Sequence, residues 1–216
     1  TDWRRRLVLR DKLRLSEETL HILSAGVVGI AGGMANYLFS VMNELFRWLV
    51  LGSTSDMVQI ARDLEKMPLH HLHHVLLPAL GGLAAGAVLY WGLRLIGTPG
   101  RTNLLEVVVA GDGRLPLRST IVGTTAAMLS INTGASIGRE GAVIQLCATL
   151  ASKFGQLLHW PPYRLRLLIA CGAASGIAAC YNAPIAGAVF AAQIVLGNFS
   201  MSLFAPLVFS SVIAAV

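Results

Sequence analysis

Charge is what this sequence has least of. Only 13% of its 216 residues are Asp, Glu, Lys or Arg, against about 25% in an ordinary soluble domain. Hydrophobic residues make up 55%. That balance argues against a soluble globular enzyme. It also excludes disorder, which needs low hydrophobicity and high charge. Cysteine is scarce as well. Cys147, Cys171 and Cys180 are an odd count and lie in apolar, small-residue stretches. They read as small packing residues in a reduced environment, not as disulfides or metal ligands. No nucleophile–base pair stands out, because the serines sit among Gly and Ala, far from the histidine cluster. The chain therefore reads as a non-enzyme.

The missing charge is concentrated in voids. Asp, Glu, Lys and Arg are absent from Thr19 to Asn43, Met67 to Leu93, Ser119 to Gly138 and Leu167 to Val216, runs of 25, 27, 20 and 50 residues. A helix needs about 20 mostly apolar residues to cross a bilayer core. Three runs reach that length once, and the fourth has room for two or more segments. None has the layout of a cleaved signal peptide. The excess of 17 Lys+Arg over 11 Asp+Glu is local. Arg4, Arg5, Arg6, Arg10, Lys12 and Arg14 all precede the first void. Residues 1–15 read as a basic amphipathic helix at the headgroups, with the N-terminus cytoplasmic and the lipid bilayer as partner. A nucleic-acid-binding arm is the weaker reading of those charges.

Along the chain, Ser16 is a candidate N-cap and Glu17 and Glu18 suit a first helical turn. The helix they open can run to about Leu51, long enough to require strong tilt. Gly52–Leu69 is a polar loop. Leu72–Ile96 is a second long span, broken by Gly97-Thr98-Pro99-Gly100. Shorter segments follow: Thr102–Ala110, Leu115–Thr133, Glu140–Leu158, Leu165–Cys180, Ile185–Leu196 and Met201–Val216. Short pieces interrupted by Gly and Pro are the sign of discontinuous helices lining a site at membrane depth. Small residues four apart at Gly29/Gly33, Gly82/Gly86, Gly134/Gly138 and Gly172/Gly176 predict close helix packing. His70, His71, His73 and His74 offer metal-ligand spacings. An interfacial polar collar is the preferred reading, so no metal is assigned.

One motif stands apart. Ser136-Ile137-Gly138-Arg139-Glu140-Gly141 sets a charged pair between two apolar stretches. Ionisable residues at membrane depth are costly and mark function by default. The amides opening the next helix lack intrahelical partners, and with the helix dipole they form an anion site. Glu140 would fill that site with its own carboxylate. Another anion enters only when the carboxylate swings away or is protonated. The alternative is a simple capping turn at a membrane surface.

Gly138-Arg139-Glu140-Gly141, followed by an apolar helix with Gln145, resembles the G-R-E-G-P signature of the CLC chloride channels and proton/chloride exchangers. About 40 residues on, the stretch from Gly172 to Gly187, with Tyr181-Asn182-Ala183-Pro184 at its centre, resembles the family's G-A-A-A-G-x-A-A-x-F-N-A-P-x-A-G block. The resemblance implies an all-α polytopic membrane protein with tilted and discontinuous helices. It places 16–216 in the N-terminal half of the transmembrane domain, the first of two inverted repeats, with the second half missing. It also implies a homodimer, here through 185–216, chloride as substrate, and no cofactor. Glu140 falls on the gating glutamate; Gly138, Arg139 and Gly141 frame the chloride site. Thr102 falls where a chloride-binding serine would be, but Asn103 and Leu105 replace the neighbouring glycine and proline. Ala142 replaces the proline after G-R-E-G. These departures resemble the divergent bacterial ClcB-like branch, which places the chain in an inner membrane. The exchangers' inner glutamate positions become Gln193 and Ile194, which cannot carry a proton. Ile194 is expected to be buried in a dry wall. Channel-like or loosely coupled transport is therefore expected over tight proton/chloride antiport. A non-transporting packing subunit is the reading from another class.

Overall fold

A computed structural model of the chain describes residues 17–51, 70–97, 104–109, 112–197 and 200–216. The expected basic helix over 1–15, the Ser16 cap, the loop before Leu69 and Thr102 lie outside the described residues. So do the side chains of the histidine cluster.

The described residues are almost entirely helical. Their helices are α1 (Glu17–Leu51), α2 (His70–Ile96), α3 (Leu104–Val109), α4 (Leu117–Asn132), α5 (Glu140–Leu157), α6 (Pro162–Tyr181), α7 (Pro184–Phe190) and α8 (Met201–Ala215). A π-helical turn, Ala191–Leu196, continues α7. Helix α1 has 35 residues, or about 52 Å at the usual rise. Its end falls at the expected Leu51. Among the described residues, three helical stretches are long and apolar enough to cross a membrane: Thr19–Trp48, Leu76–Ile96 and Pro162–Tyr181. The chain is an all-α integral membrane protein.

Proline and glycine set most boundaries. Pro161-Pro162 reads in sequence as a terminator, but α6 already begins at Pro162, with proline in its first turn. The ring's fixed φ suits a helix start, and its missing N–H would have no partner there. This lengthens the segment beyond the expected Leu165–Cys180. Pro184 opens α7 in the same way.

Helix α6 is the centre. Every residue from Leu167 to Ala178 is buried, because small side chains let its neighbours approach. A Cβ added at Gly172 would stand 2.7 Å from the Cys147 carbonyl oxygen, and one at Gly176 3.2 Å from Ile144 Cα. Gly29 similarly lies against the Ser210 carbonyl of α8. Two of the four glycine pairs are therefore packing stripes. The Gly82/Gly86 pair is not, since an added Cβ meets nothing within 4 Å at either position. On α2 it is Gly81 and Gly92 that meet α4, at Thr133 and Val122. Gly134 and Gly138 lie in the turn between α4 and α5 and not on a helix, so they form no helical stripe; an added Cβ at Gly134 would stand 3.6 Å from Pro78 of α2. The far face of α2 leaves Leu80, Leu83, Tyr90, Trp91 and Leu95 exposed, as hydrocarbon-facing residues should be.

Cross-helix contacts fix directions. Gly32 meets Ser175 and Asn36 Nδ2 donates to the Ala179 carbonyl at 3.0 Å, so α1 and α6 run parallel. Gly29 and Gly33 meet Ser210 and Ala214, which adds α8. Thr120 and Thr149 share a hydroxyl hydrogen bond of 3.0 Å, and Leu115 N–H donates to Ser152 Oγ at 3.0 Å. Helix α5 is thus antiparallel to both α4 and α6. Arg94, Arg114, Arg118, Lys153, Arg164 and Arg166 consequently gather at the end of the bundle where α1, α4 and α6 begin. There the Arg164 guanidinium lies 5.8 Å from the Trp160 ring centre and 5.6 Å from that of Tyr163. Glu140 opens α5 at the opposite end, about 27 Å away along an 18-residue helix.

Candidate anion site at the break between α4 and α5

Helix α4 stops at Asn132. Thr133 closes it, its N–H reaching the Leu129 carbonyl at 3.2 Å and its Oγ1 donating to the same oxygen at 3.0 Å. Gly134 then takes φ +98°, a left-handed conformation that β-carbon-bearing residues resist. Residues 135–139 cross over irregularly, and the chain re-enters a helix at Glu140. An unbroken helix over 126–146 would have removed the proposed site; the break lies where the sequence places it.

The first intrahelical bond of α5 runs from Val143 N–H to the Arg139 carbonyl at 3.2 Å, and no side chain caps the helix. The amides before Val143 therefore face the turn without helical acceptors. The Glu140 carboxylate turns back toward its own backbone N–H and over Gly138, where an added Cβ would collide with it. Only a residue without a side chain leaves room for this fold-back.

Two bonds tie this turn to the end of α6. Tyr181 Oη donates to Glu140 Oε1 at 2.6 Å, and Arg139 Nη2 donates to the Cys180 carbonyl at 3.4 Å. Both span 41 residues of sequence. Arg139 thereby sits at the C-terminal, partially negative end of α6, where a cation is favoured. That end is anchored from behind. Asn36 holds the Ala179 carbonyl and accepts from Cys180 Sγ at 3.5 Å. Asn182, at φ 52°, ends the helix in the left-handed region.

The structure thus brings Gly138, Arg139, Glu140 and Gly141 into one exposed turn. An added Cβ at Gly141 meets nothing within 4 Å, so this residue's side-chain direction is open space. Gln193 and Ile194 stand elsewhere, on the π-helical turn after α7. Ile194 is 48% exposed, contrary to its expected burial in a dry wall. The wider π turn buries Ala191, Ala192 and Val195 and rotates residues 193 and 194 outward. Tyr181 and Asn36 were missed in the sequence. Tyr181 reads there only as part of a helix break. The available signal was a phenol where the resembled block carries phenylalanine.

Comparison with known proteins agrees with this architecture. The family model described as voltage gated chloride channel matches residues 81–216. The chain is 40% identical over 194 residues to a putative ClcB-like chloride channel protein of Ralstonia nicotianae, covering 88% of this chain and 44% of that protein. It is 37% identical over 196 residues to the voltage-gated ClC-type chloride channel ClcB of Escherichia coli O139:H28, covering 89% and 45%. It is 34% identical over 193 residues to ClcB of Yersinia pseudotuberculosis, covering 87% and 45%. The chain therefore spans less than half the length of these relatives.

Proposed function

The chain belongs to the voltage-gated chloride channel family, and from that membership we propose that it forms part of a transmembrane chloride pathway gated by the Glu140 carboxylate. The observation that carries this reading is the fold-back of Glu140 at the uncapped start of α5. A carboxylate rests where unpartnered amides and a helix dipole favour an anion. Chloride competes for the same place. A charged carboxylate excludes it, and a protonated or displaced one admits it. Gly138 makes room for the closed arrangement, Gly141 lies in the first turn of α5, whose amides have no helical acceptors, and Arg139 holds the turn against α6. Thr102 would contribute a hydroxyl donor to chloride. No cofactor is needed, because chloride is the substrate and the protein supplies only dipoles and a movable charge.

Orientation follows from charge. Six basic residues of the described helices and turns gather at the end where α1 begins. Basic residues favour the cytoplasmic side, so the N-terminus is cytoplasmic and Glu140 lies toward the opposite face. That the relatives are bacterial supports reading the membrane as the inner one. Ile185, Phe190, Phe209 and Val212 are exposed within 185–216, the segment expected to pair two subunits. With neutral Gln193 and Ile194 in the inner positions, we read transport as channel-like or loosely proton-coupled. The second reading is tight proton/chloride antiport, in which a chain of waters takes the place of a titrating side chain.

The test is chloride efflux from liposomes holding the full-length gene product. Glu140→Gln mimics the protonated carboxyl and is expected to give flux that no longer varies with pH. Blocked flux with normal pH dependence would remove Glu140 as the gate. Absence of any wild-type chloride flux would favour the packing-subunit reading.

A further inference from the structure

We infer that Tyr181 is a latch on the gate: its hydroxyl holds the ionised Glu140 carboxylate in the closed arrangement and so sets the pH at which the pathway opens. This rests on the reading of Glu140 as the gate. It adds a second residue, on another helix, that decides how readily the gate leaves its resting place.

The geometry is specific. The 2.6 Å bond from Tyr181 Oη to Glu140 Oε1 is short, as expected for a hydroxyl donating to an ionised acceptor. Among the described residues, the charged or titratable groups facing the carboxylate besides Tyr181 are Arg139 beside it and Cys180 on α6. Helix α1 adds only neutral Asn36 at Cys180. Arg139 is directed to the Cys180 carbonyl, which leaves the phenol as the directed donor from a neighbouring helix. Tyr181 itself is poorly placed to follow a moving carboxylate. It is the last residue of α6, with Asn36 on the Ala179 carbonyl, Arg139 on the Cys180 carbonyl and left-handed Asn182 immediately after it. When Glu140 swings out, the bond must break. Phenylalanine, the residue of the resembled block at this position, has no hydroxyl to offer. The latch is a feature of this chain's own residue.

The sign of the effect follows. A donor to the charged carboxylate stabilises the closed, ionised state. Removing it lets the carboxyl protonate at higher pH, so the pathway opens at higher pH. A hydrogen bond to a charged group, discounted for its partial exposure, corresponds to an upward shift of about 0.5 to 1 pH unit.

The experiment measures chloride efflux against pH for four full-length proteins in liposomes: wild type, Tyr181→Phe, Glu140→Gln and the double variant. Tyr181→Phe is expected to move the midpoint of opening upward by that amount and to raise flux several-fold at neutral pH. The double variant is expected to superimpose on Glu140→Gln, because a latch acts only through the carboxylate it holds. A Tyr181→Phe profile identical to wild type overturns the latch, as does a Tyr181→Phe effect that persists in the Glu140→Gln background. A Glu140→Gln protein with unaltered pH dependence overturns the gate itself, a distinct result. Glu140→Asp provides a further check should Tyr181→Phe fold poorly. Its shorter side chain draws the carboxylate back from the phenol, so its midpoint should also rise; an unmoved midpoint counts against the latch.

Discussion

Replacing Gly172 by alanine tests the central packing of the molecule with a single methyl group. The new Cβ would stand 2.7 Å from the Cys147 carbonyl oxygen, 2.8 Å from Ala151 Cβ and 3.0 Å from Ala148 Cα. These neighbours belong to the backbone and a short side chain of α5, so none can rotate aside. Helices α5 and α6 must separate by a sizeable fraction of an ångström, along an interface buried on the α6 side from Leu167 to Ala178. Overpacking of this kind costs about 1–3 kcal/mol. Gly82→Ala is the matched control, since its Cβ meets nothing within 4 Å. There only the intrinsic preference of a helix for Ala over Gly remains, about 1 kcal/mol in favour of alanine. The assay is thermal unfolding of the detergent-solubilised full-length protein, followed by loss of the monodisperse elution peak. The two variants should differ by at least about 3 °C, with Gly172→Ala below wild type and Gly82→Ala at or above it. Equal midpoints would refute the assignment of Gly172 to a packing contact.

Three further outcomes are expected. Gly138→Ala places a Cβ against the folded-back Glu140 carboxylate, so it should raise chloride flux at neutral pH; unchanged flux would mean that the closed carboxylate rests elsewhere. Asn36→Leu leaves the Ala179 carbonyl without its cross-helix donor and should destabilise the solubilised protein by about 1 kcal/mol, read as a lower unfolding temperature against an exposed-face substitution such as Leu83→Ala. A chloride gradient should set the reversal potential of the full-length protein with little response to a superimposed pH gradient. A displacement matching a fixed chloride-to-proton ratio would show that Gln193 and Ile194 do not interrupt proton movement.

The helix plan was legible because its determinants are local. Voids of charge mark apolar spans, and Gly97, Gly134, Pro162 and Pro184 mark ends through backbone geometry that the residue type imposes. The break before Glu140 was legible for the same reason. What a glycine packs against is not local. Gly82 and Gly86 have the same spacing as Gly172 and Gly176, yet only the second pair faces a neighbour, because orientation about the α2 axis is set by α4. The Tyr181–Glu140 contact was hidden for a related reason. It depends on α5 and α6 folding back antiparallel, which brings together residues 41 apart. The outward turn of Ile194 depends on a π segment, whose extra residue per turn leaves no clear mark in an apolar sequence.

The turn between α4 and α5 also governs how far the site's field extends. Helix α4 delivers its carbonyl end, and α5 begins its amide end a few residues later, beyond Gly134. Partial charges of opposite sign therefore lie side by side, and their potentials largely cancel at a distance. An anion in the surrounding water feels little pull until it is close enough to tell the two helix ends apart. Capture at such a place is a matter of near contact, not of long-range steering. Screening by dissolved salt, which acts over about 10 Å at 0.1 M, should then alter the occupancy of this turn far less than it alters attraction at the other end of the bundle, where basic residues outnumber acidic ones.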